Sequence, residues 1–140
     1  MLSITKDMLI TRVMNEVAAG TTAQSSSVLD MQGYDSVIFV AILGTVTDNS
    51  VVTLAVKSNP TSSSSGGTVE KTGTAITAAT SSDTVQSVEV QRPTQRYVFA
   101  YVTRTAQNAA ISAILAIQFN SKNMPVTQTI AASDFAGPNA

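Results

Sequence analysis

Apolar residues along this chain recur in short bursts between turn formers, and the bursts are rich in β-branched and aromatic side chains. That is the pattern of an all-β domain. Residues 36–44 (SVIFVAILG) form a near-continuous apolar run closed by Gly44. Such a run suits a strand buried on both faces, inside a sandwich or under a neighbouring subunit. Asp48-Asn49-Ser50 then separates Thr45-Val46-Thr47 from the apolar stretch 51–57. Asp and Asn tolerate left-handed backbone, so this segment predicts a hairpin. Val88-Glu89-Val90-Gln91 alternates cleanly, and Arg92-Pro93-Thr94-Gln95 predicts a turn, because Pro93 cannot donate to a ladder. In residues 96–104 (RYVFAYVTR), Tyr97, Phe99 and Tyr101 share one face and Val98, Ala100 and Val102 the other, the strongest period-two signal present. The last long strand is predicted at 110–119, with Ile111, Ala113, Leu115, Ile117 and Phe119 on one face. Its place directly after a strand predicts another hairpin.

Two regions break this rhythm. Residues 58–84 hold Pro60, a run of four Ser and Gly66-Gly67, and predict a long loop excursion with one short strand near Thr74 to Ala78. Near the N-terminus, Leu9, Ile10, Val13, Met14 and Val17 follow helical spacing, yet the β character of the remainder favours a strand. The ends, 1–8 and 121–140, carry few core residues and are expected to be extended arms that order on contact with a partner. The expectation is a single all-β domain over 1–140, a β-sandwich or jelly roll of about seven or eight strands.

Composition narrows the chemistry. The chain has no Cys and no His, which removes disulfides, thiol nucleophiles, zinc-thiolate sites and the commonest general base. Eight Lys and Arg against nine Asp and Glu leave a net charge of −1, too little field to hold nucleic acid or an anionic membrane surface. So low a charge density does favour packing against copies or neighbours. The longest apolar run falls far short of the roughly 20 residues that span a bilayer, and the N-terminus lacks signal-peptide order.

Among the acids, Asp30 with Asp35, Asp48, Asp83 with Glu89, and Asp134 are the candidates for glycosidase or calcium chemistry. Turn and strand-end roles account for Asp48 and Asp35, and no dense acidic loop exists. A serine nucleophile would need a Lys base in an S-x-x-K setting, which is absent, and the Ser62 to Gly67 stretch lacks the Lys of a phosphate cradle. No catalytic, cofactor-binding or metal residue is expected, and the chain reads as a non-enzyme. Arg92, Arg96 and Arg104, interleaved with Tyr97 and Tyr101, form the one local concentration of positive charge. Arg and Tyr are enriched where proteins dock, so these five are the candidate partner-binding residues.

Residues 28–41 (VLDMQGYDSVIFVA) resemble a block that recurs in small structural proteins of tailed bacteriophages. Residues 91–98 (QRPTQRYV) and 124–127 (MPVT) resemble further blocks of the same proteins. Their order and spacing, from about Val17 to Thr129, are similar to those of capsid cement, or decoration, proteins. The Ser-rich stretch 58–67 and Asn15-Glu16 depart from that pattern. The resemblance implies a jelly-roll sandwich that forms homodimers on the exterior of an icosahedral head, assembled in the host cytoplasm, and clamps neighbouring major capsid protein subunits. Two other classes stand beside it: a carbohydrate-binding sandwich or fibre or tail module, using Tyr34, Tyr97 and Tyr101 as a stacking platform, and an enzyme, for which no residue set exists.

Overall fold

A computed structural model describes residues 3–77 and 82–135. After one helical turn, α1 (Ile4–Asp7), the described chain is built of strands: β1 (Leu9–Met14), β2 (Val17–Gly20), β3 (Gln24–Ser25), β4 (Leu29–Asp30), β5 (Tyr34–Val46), β6 (Val51–Asn59), β7 (Thr68–Thr72), β8 (Val85–Gln91), β9 (Tyr97–Thr105) and β10 (Ala109–Ser121). They form two antiparallel sheets. The first runs β1-β10-β5-β8, with β2 following β1 along the same edge of β10. The second runs β3-β9-β6-β7, with β4 beside β3 along β9. Each sheet is therefore four strands wide, and the expected seven or eight strands correspond to these positions, two of them occupied by broken strands.

Among the described residues only β6 and β7 are joined as a hairpin within one sheet; β4–β5, β5–β6, β7–β8, β8–β9 and β9–β10 all cross between sheets. This is jelly-roll connectivity. The two hairpins expected at Asp48-Asn49-Ser50 and after β9 are instead corners of the sandwich. Asn49 does take left-handed backbone (φ 67°) and the Ser50 N–H donates to Thr47 O at 3.0 Å. Both ladder edges of β5 and of β6 are already filled, however, so the turn must pass the chain to the other layer. The two corners brace each other: the Thr47 N–H donates to Asn108 O at 2.9 Å and Ser50 Oγ to Gln107 O at 3.0 Å.

The core lies between the sheets. Val37, Phe39, Ala41 and Leu43 point inward from β5 and meet Val52, Leu54 and Val56 of β6 and Val98, Ala100 and Val102 of β9, all of them buried. Residues 9–17 are strand, and a bulge explains their helix-like spacing. A register shift between Arg12 and Met14 inserts an extra residue, so Val13 and Met14 both turn inward. A second shift, between Ile111 and Ala113, corrects the expected phase of β10. Ile111, Ile114, Ala116 and Gln118 are buried, whereas Leu115, Ile117 and Phe119 face outward with Ile38 and Val40 of β5. β5 is accordingly buried on one face and part-exposed on the other. Outward rows on this sheet read Ile10–Ile117–Ile38–Glu89 and Arg12–Leu115–Val40–Ser87.

The Ser-rich segment is an ordered flap. The strand within the excursion is Thr68–Thr72, earlier than expected; Ile76 makes only an isolated bridge to Val52, and residue 78 lies outside the described residues. Asn59 Nδ2 donates to Ser63 O at 2.6 Å and Ser65 O at 3.1 Å, pinning the loop. Gly67 (φ 88°) lies where an added Cβ would sit 2.9 Å from Ser58 O and 3.3 Å from the Phe99 ring. The flap thus covers Phe99, which faces outward from the second sheet yet is 0% exposed.

Beside β1 the terminal segments meet: the Val126 N–H donates to Lys6 O at 2.7 Å, and the Gln128 amide bonds the Ile10 N–H, Thr5 O and Met8 O. Gly67→Ala is expected to cost about 2–3 kcal/mol, since a side chain there meets both a strained φ and backbone. Gly66→Ala, at φ 69° with open space around it, should cost only about 1 kcal/mol. Urea denaturation of the two variants checks the order.

Candidate interaction surface

β9 and the corner entering it position most of the Arg and Tyr residues singled out by sequence. Alternation along β9 turns Tyr97 and Tyr101 to the outer face of the second sheet, with Phe99 and its flap between them. Arg96 closes on Asp30, its Nε 2.8 Å from Oδ1 and Nη2 2.7 Å from Oδ2. Nη2 also donates to Gln32 Oε1 at 2.6 Å, and the guanidinium carbon sits 5.1 Å from the Tyr97 ring centre. The hydrogen bond from Arg96, with that from the Gln32 N–H, holds the Asp30 carboxyl below the usual range. Both partners remain about half exposed, so the pair orients side chains more than it stabilises the fold. Lys57 Nζ lies 3.9 Å from the Tyr101 ring centre, a close cation–π contact.

At the same end of the sandwich an open cleft of about 500 Å³ is lined by residues 31, 32, 34, 35 and 92–96. Arg92, in left-handed backbone (φ 52°), donates its N–H to Asp35 O at 2.7 Å, and its side chain makes no hydrogen bond or ion pair with the described residues. Tyr34 lines the cleft while packing on the core, and burial raises its phenol pKa. The cleft floor is set by a backbone bond from the Met31 N–H to Arg96 O, 2.9 Å. Two segments some sixty residues apart in sequence, 28–41 and 91–98, thus build one corner.

Arg104 does not belong to this surface. It points into the sandwich and is 2% exposed; Nε donates to Thr22 O at 2.9 Å, and Nη1 to Ala18 O at 2.9 Å and Ala109 O at 2.6 Å. Burial pushes its pKa down, but an arginine keeps its charge in proteins. Three carbonyls from the β2 edge and the start of β10 offset its desolvation, so it joins the two sheets instead of docking a partner. Arg104 falls in the same alternation as Val98, Ala100 and Val102, the buried face of β9. The charge alone suggested the surface.

Two positions that matter here were not singled out by sequence. Lys57 is one, and only the pairing of β6 with β9 brings it over Tyr101. Glu70 is the other: its Oε1 accepts from Ser58 Oγ (2.5 Å), the Thr94 N–H (2.9 Å) and Thr94 Oγ1 (2.5 Å), tying β7 to the cleft-forming corner. Burial raises the Glu70 carboxyl, yet these hydrogen bonds together outweigh it and leave the pKa lowered.

No protein-family model and no curated protein matches this chain. Solved structures do match it in fold. A protein of the disulfide-linked pili that form Bacillus endospore appendages aligns at 17% identity and TM-score 0.52, over 81% of this chain and 88% of that one. XepA, the exported protein of phage PBSX, aligns at 20% identity and TM-score 0.50, over 91% of this chain and 43% of XepA. A structure of infectious bursal disease virus Gx strain aligns at 13% identity and TM-score 0.48, over 86% and 32%. At these identities the likeness is one of sandwich fold. Having no cysteine, this chain shares the fold of the pilus protein without the means of its disulfide linkage.

Arg104→Ala is expected to cost about 3 kcal/mol, because three buried carbonyls lose a charged donor, whereas Arg92→Ala should stay within about 0.5 kcal/mol of wild type; urea midpoints distinguish them. A carboxyl with a lowered folded pKa contributes stability above its unfolded pKa and loses it as pH falls through the folded value. Glu70→Gln should therefore lower stability by about 1 kcal/mol at neutral pH and flatten the acid limb below about pH 5, as thermal melts across pH would record.

Proposed function

We propose that this chain is a non-enzymatic structural protein of a tailed-phage virion, which binds the outer surface of the icosahedral head and cements neighbouring major capsid protein subunits. The observation that carries this reading is the convergence at the cleft. The two sequence blocks that resemble cement proteins, 28–41 and 91–98, meet there and supply its entire lining. They meet through backbone bonds and the Arg96–Asp30 pair, so the corner is preorganised, and Arg92, which makes no ion pair with the described residues, lines the cleft together with Tyr34. A fixed shape with one free cation suits docking on an acidic, hydrogen-bonding protein surface. The fold likeness to XepA adds support at the level of architecture. Modest contacts suffice for such a role, because a shell multiplies them by copy number.

The carbohydrate reading fares worse on geometry. Tyr34 belongs to the first sheet, Tyr97 and Tyr101 to the second, and Lys57 stands over the Tyr101 ring that a sugar would need. The three rings form no continuous platform.

Purified virions should contain this protein in numbers comparable with the shell protein, and added protein should bind protein-stripped heads saturably. Arg92→Glu should weaken that binding by about tenfold or more without moving the urea midpoint. A few copies per particle, or Arg92→Glu binding like wild type, would count against the reading.

A further inference from the structure

Each sheet has two lateral edges, and three of the four carry features that block further strand pairing. β1 bears a bulge, and Gln128 takes its Ile10 N–H. β3 and β4, along one edge of the second sheet, are two residues each. β7 carries Glu70 and Lys71, and its ladder to β6 shifts register between Val56 and Lys57. β8 differs from all of these. It runs seven residues with no register shift, no Pro and a single charge, Glu89. Bonds at the two ends of its ladder, the Arg92 N–H to Asp35 O at 2.7 Å and the Leu43 N–H to Thr84 O at 2.9 Å, fix the phase. Residues 86, 88 and 90 therefore bond β5, and Val85, Ser87, Glu89 and Gln91 aim their N–H and C=O away from it. Among the described residues no strand pairs with that side of β8.

Beside this edge the sandwich is also open. Residues 73–76 follow β7 along β6, tied by the Gly73 N–H to Leu54 O and the Ile76 N–H to Val52 O, both 2.8 Å. A slot of about 270 Å³ lies between them and β8, with Leu54, Ile76 and Val88 on its walls. Another lining residue, Val85, is 59% exposed. Gln86 lines the slot as well and is only 8% exposed. Its Nε2 donates to Val52 O at 3.1 Å and Thr74 O at 3.3 Å, while Oε1 is buried with no hydrogen-bond partner. A buried acceptor left unpaired costs stability, which a donor entering the slot would recover.

An open ladder beside an apolar slot with an unmet acceptor is what an added strand requires. We propose that an extended segment of the partner protein joins β8 as an antiparallel strand, setting an apolar side chain opposite Val88 and a hydroxyl opposite Gln86. Residues directly opposite share a face, so both side chains turn toward the slot. The β8 of a second copy cannot supply them, because its inward residues, Gln86, Val88 and Val90, are already buried in its own core. This chain's described terminal segments lie beside β1, at the other edge of the sheet. Antiparallel addition brings the N-terminal end of the segment to Arg92, the residue after β8, where an acidic side chain would enter the cleft. The inference rests on the proposed docking role and says what kind of segment docks.

The probe is the blocked octapeptide Glu-Thr-Val-Thr-Val-Thr-Thr-Thr, titrated into the isotopically labelled full chain. The amide resonances of Ser87, Glu89 and Gln91 should shift and gain protection from exchange, with a dissociation constant below about 1 mM. Ser87→Pro removes an N–H that faces away from β5, a change an edge strand tolerates. It should raise the constant about tenfold and leave the urea midpoint unchanged. Ala75→Trp, which fills the slot from an exposed position, should weaken binding to a similar degree. No shift at about 1 mM, or either variant binding like wild type, would overturn the proposal. So would protection of these amides that grows with the concentration of the chain alone, since a second copy would then hold the edge. Heads are scored separately. A chain that takes the peptide and ignores heads overturns only the proposed function, whereas Ser87→Pro binding heads like wild type overturns the edge as the partner's seat and leaves the docking role standing.

Discussion

Two apolar sheet faces that can be hidden only against each other impose the architecture of this molecule. Among the described residues no layer of helix covers either, so the chain passes from one sheet to the other at most connections and the core is filled from both sides at once. Such closure leaves polar backbone at the seams, where water is excluded and no ladder reaches. Side chains answer that need. Arg104 reaches from β9 to carbonyls of the β2 edge and β10, Gln118 from β10 to Asp30 O (2.9 Å), and Gln86 from β8 to Val52 O (3.1 Å). Each joins one sheet to the other, and each is a polar group whose burial is tolerable only because its partners are fixed by the fold.

The same closure creates the corner that carries the cleft. Where β8 gives way to β9, the crossing brings residues 92–96 against residues 30–35, and the Arg96–Asp30 pair, the Arg92 N–H and Glu70 hold that junction from three directions. A cleft built on strand ends braced in this way presents its side chains in one arrangement, which lowers the ordering cost of docking. Charge is scarce in this chain, and much of it is spent on internal bracing. Arg92 at the corner is one of the outward charges that make no ion pair or hydrogen bond with the described residues.

Much of the fold was legible in the residues. Alternation along 97–102 separated the two faces of β9 as the structure has them, the positions of β5, β6, β8 and β10 followed from apolar bursts and turn formers, and the all-β sandwich followed from them. Failures had specific causes. Bulges near Val13 and Ser112 shift side-chain phase by one residue, which made β1 resemble a helix and parted Ile111 from the other residues expected on its face of β10. The Ser-rich stretch read as a loop excursion because its anchors, Asn59 and the Phe99 ring beneath Gly67, are single residues that carry no local signal. Arg104 looked like a surface cation because charge is ordinarily solvated, and nothing local reveals three waiting carbonyls.

By itself the sequence determined the class of structure and the absence of His and Cys chemistry, because hydrophobic period and composition are local properties that each segment carries wherever it lies. Only the tertiary structure decided which turns are hairpins and which are corners, which sheet each strand joins, and which arginines face outward. Those depend on which ladder edges remain open and on which carbonyls are stranded once the two sheets close, and both are properties of strands brought together from distant parts of the chain.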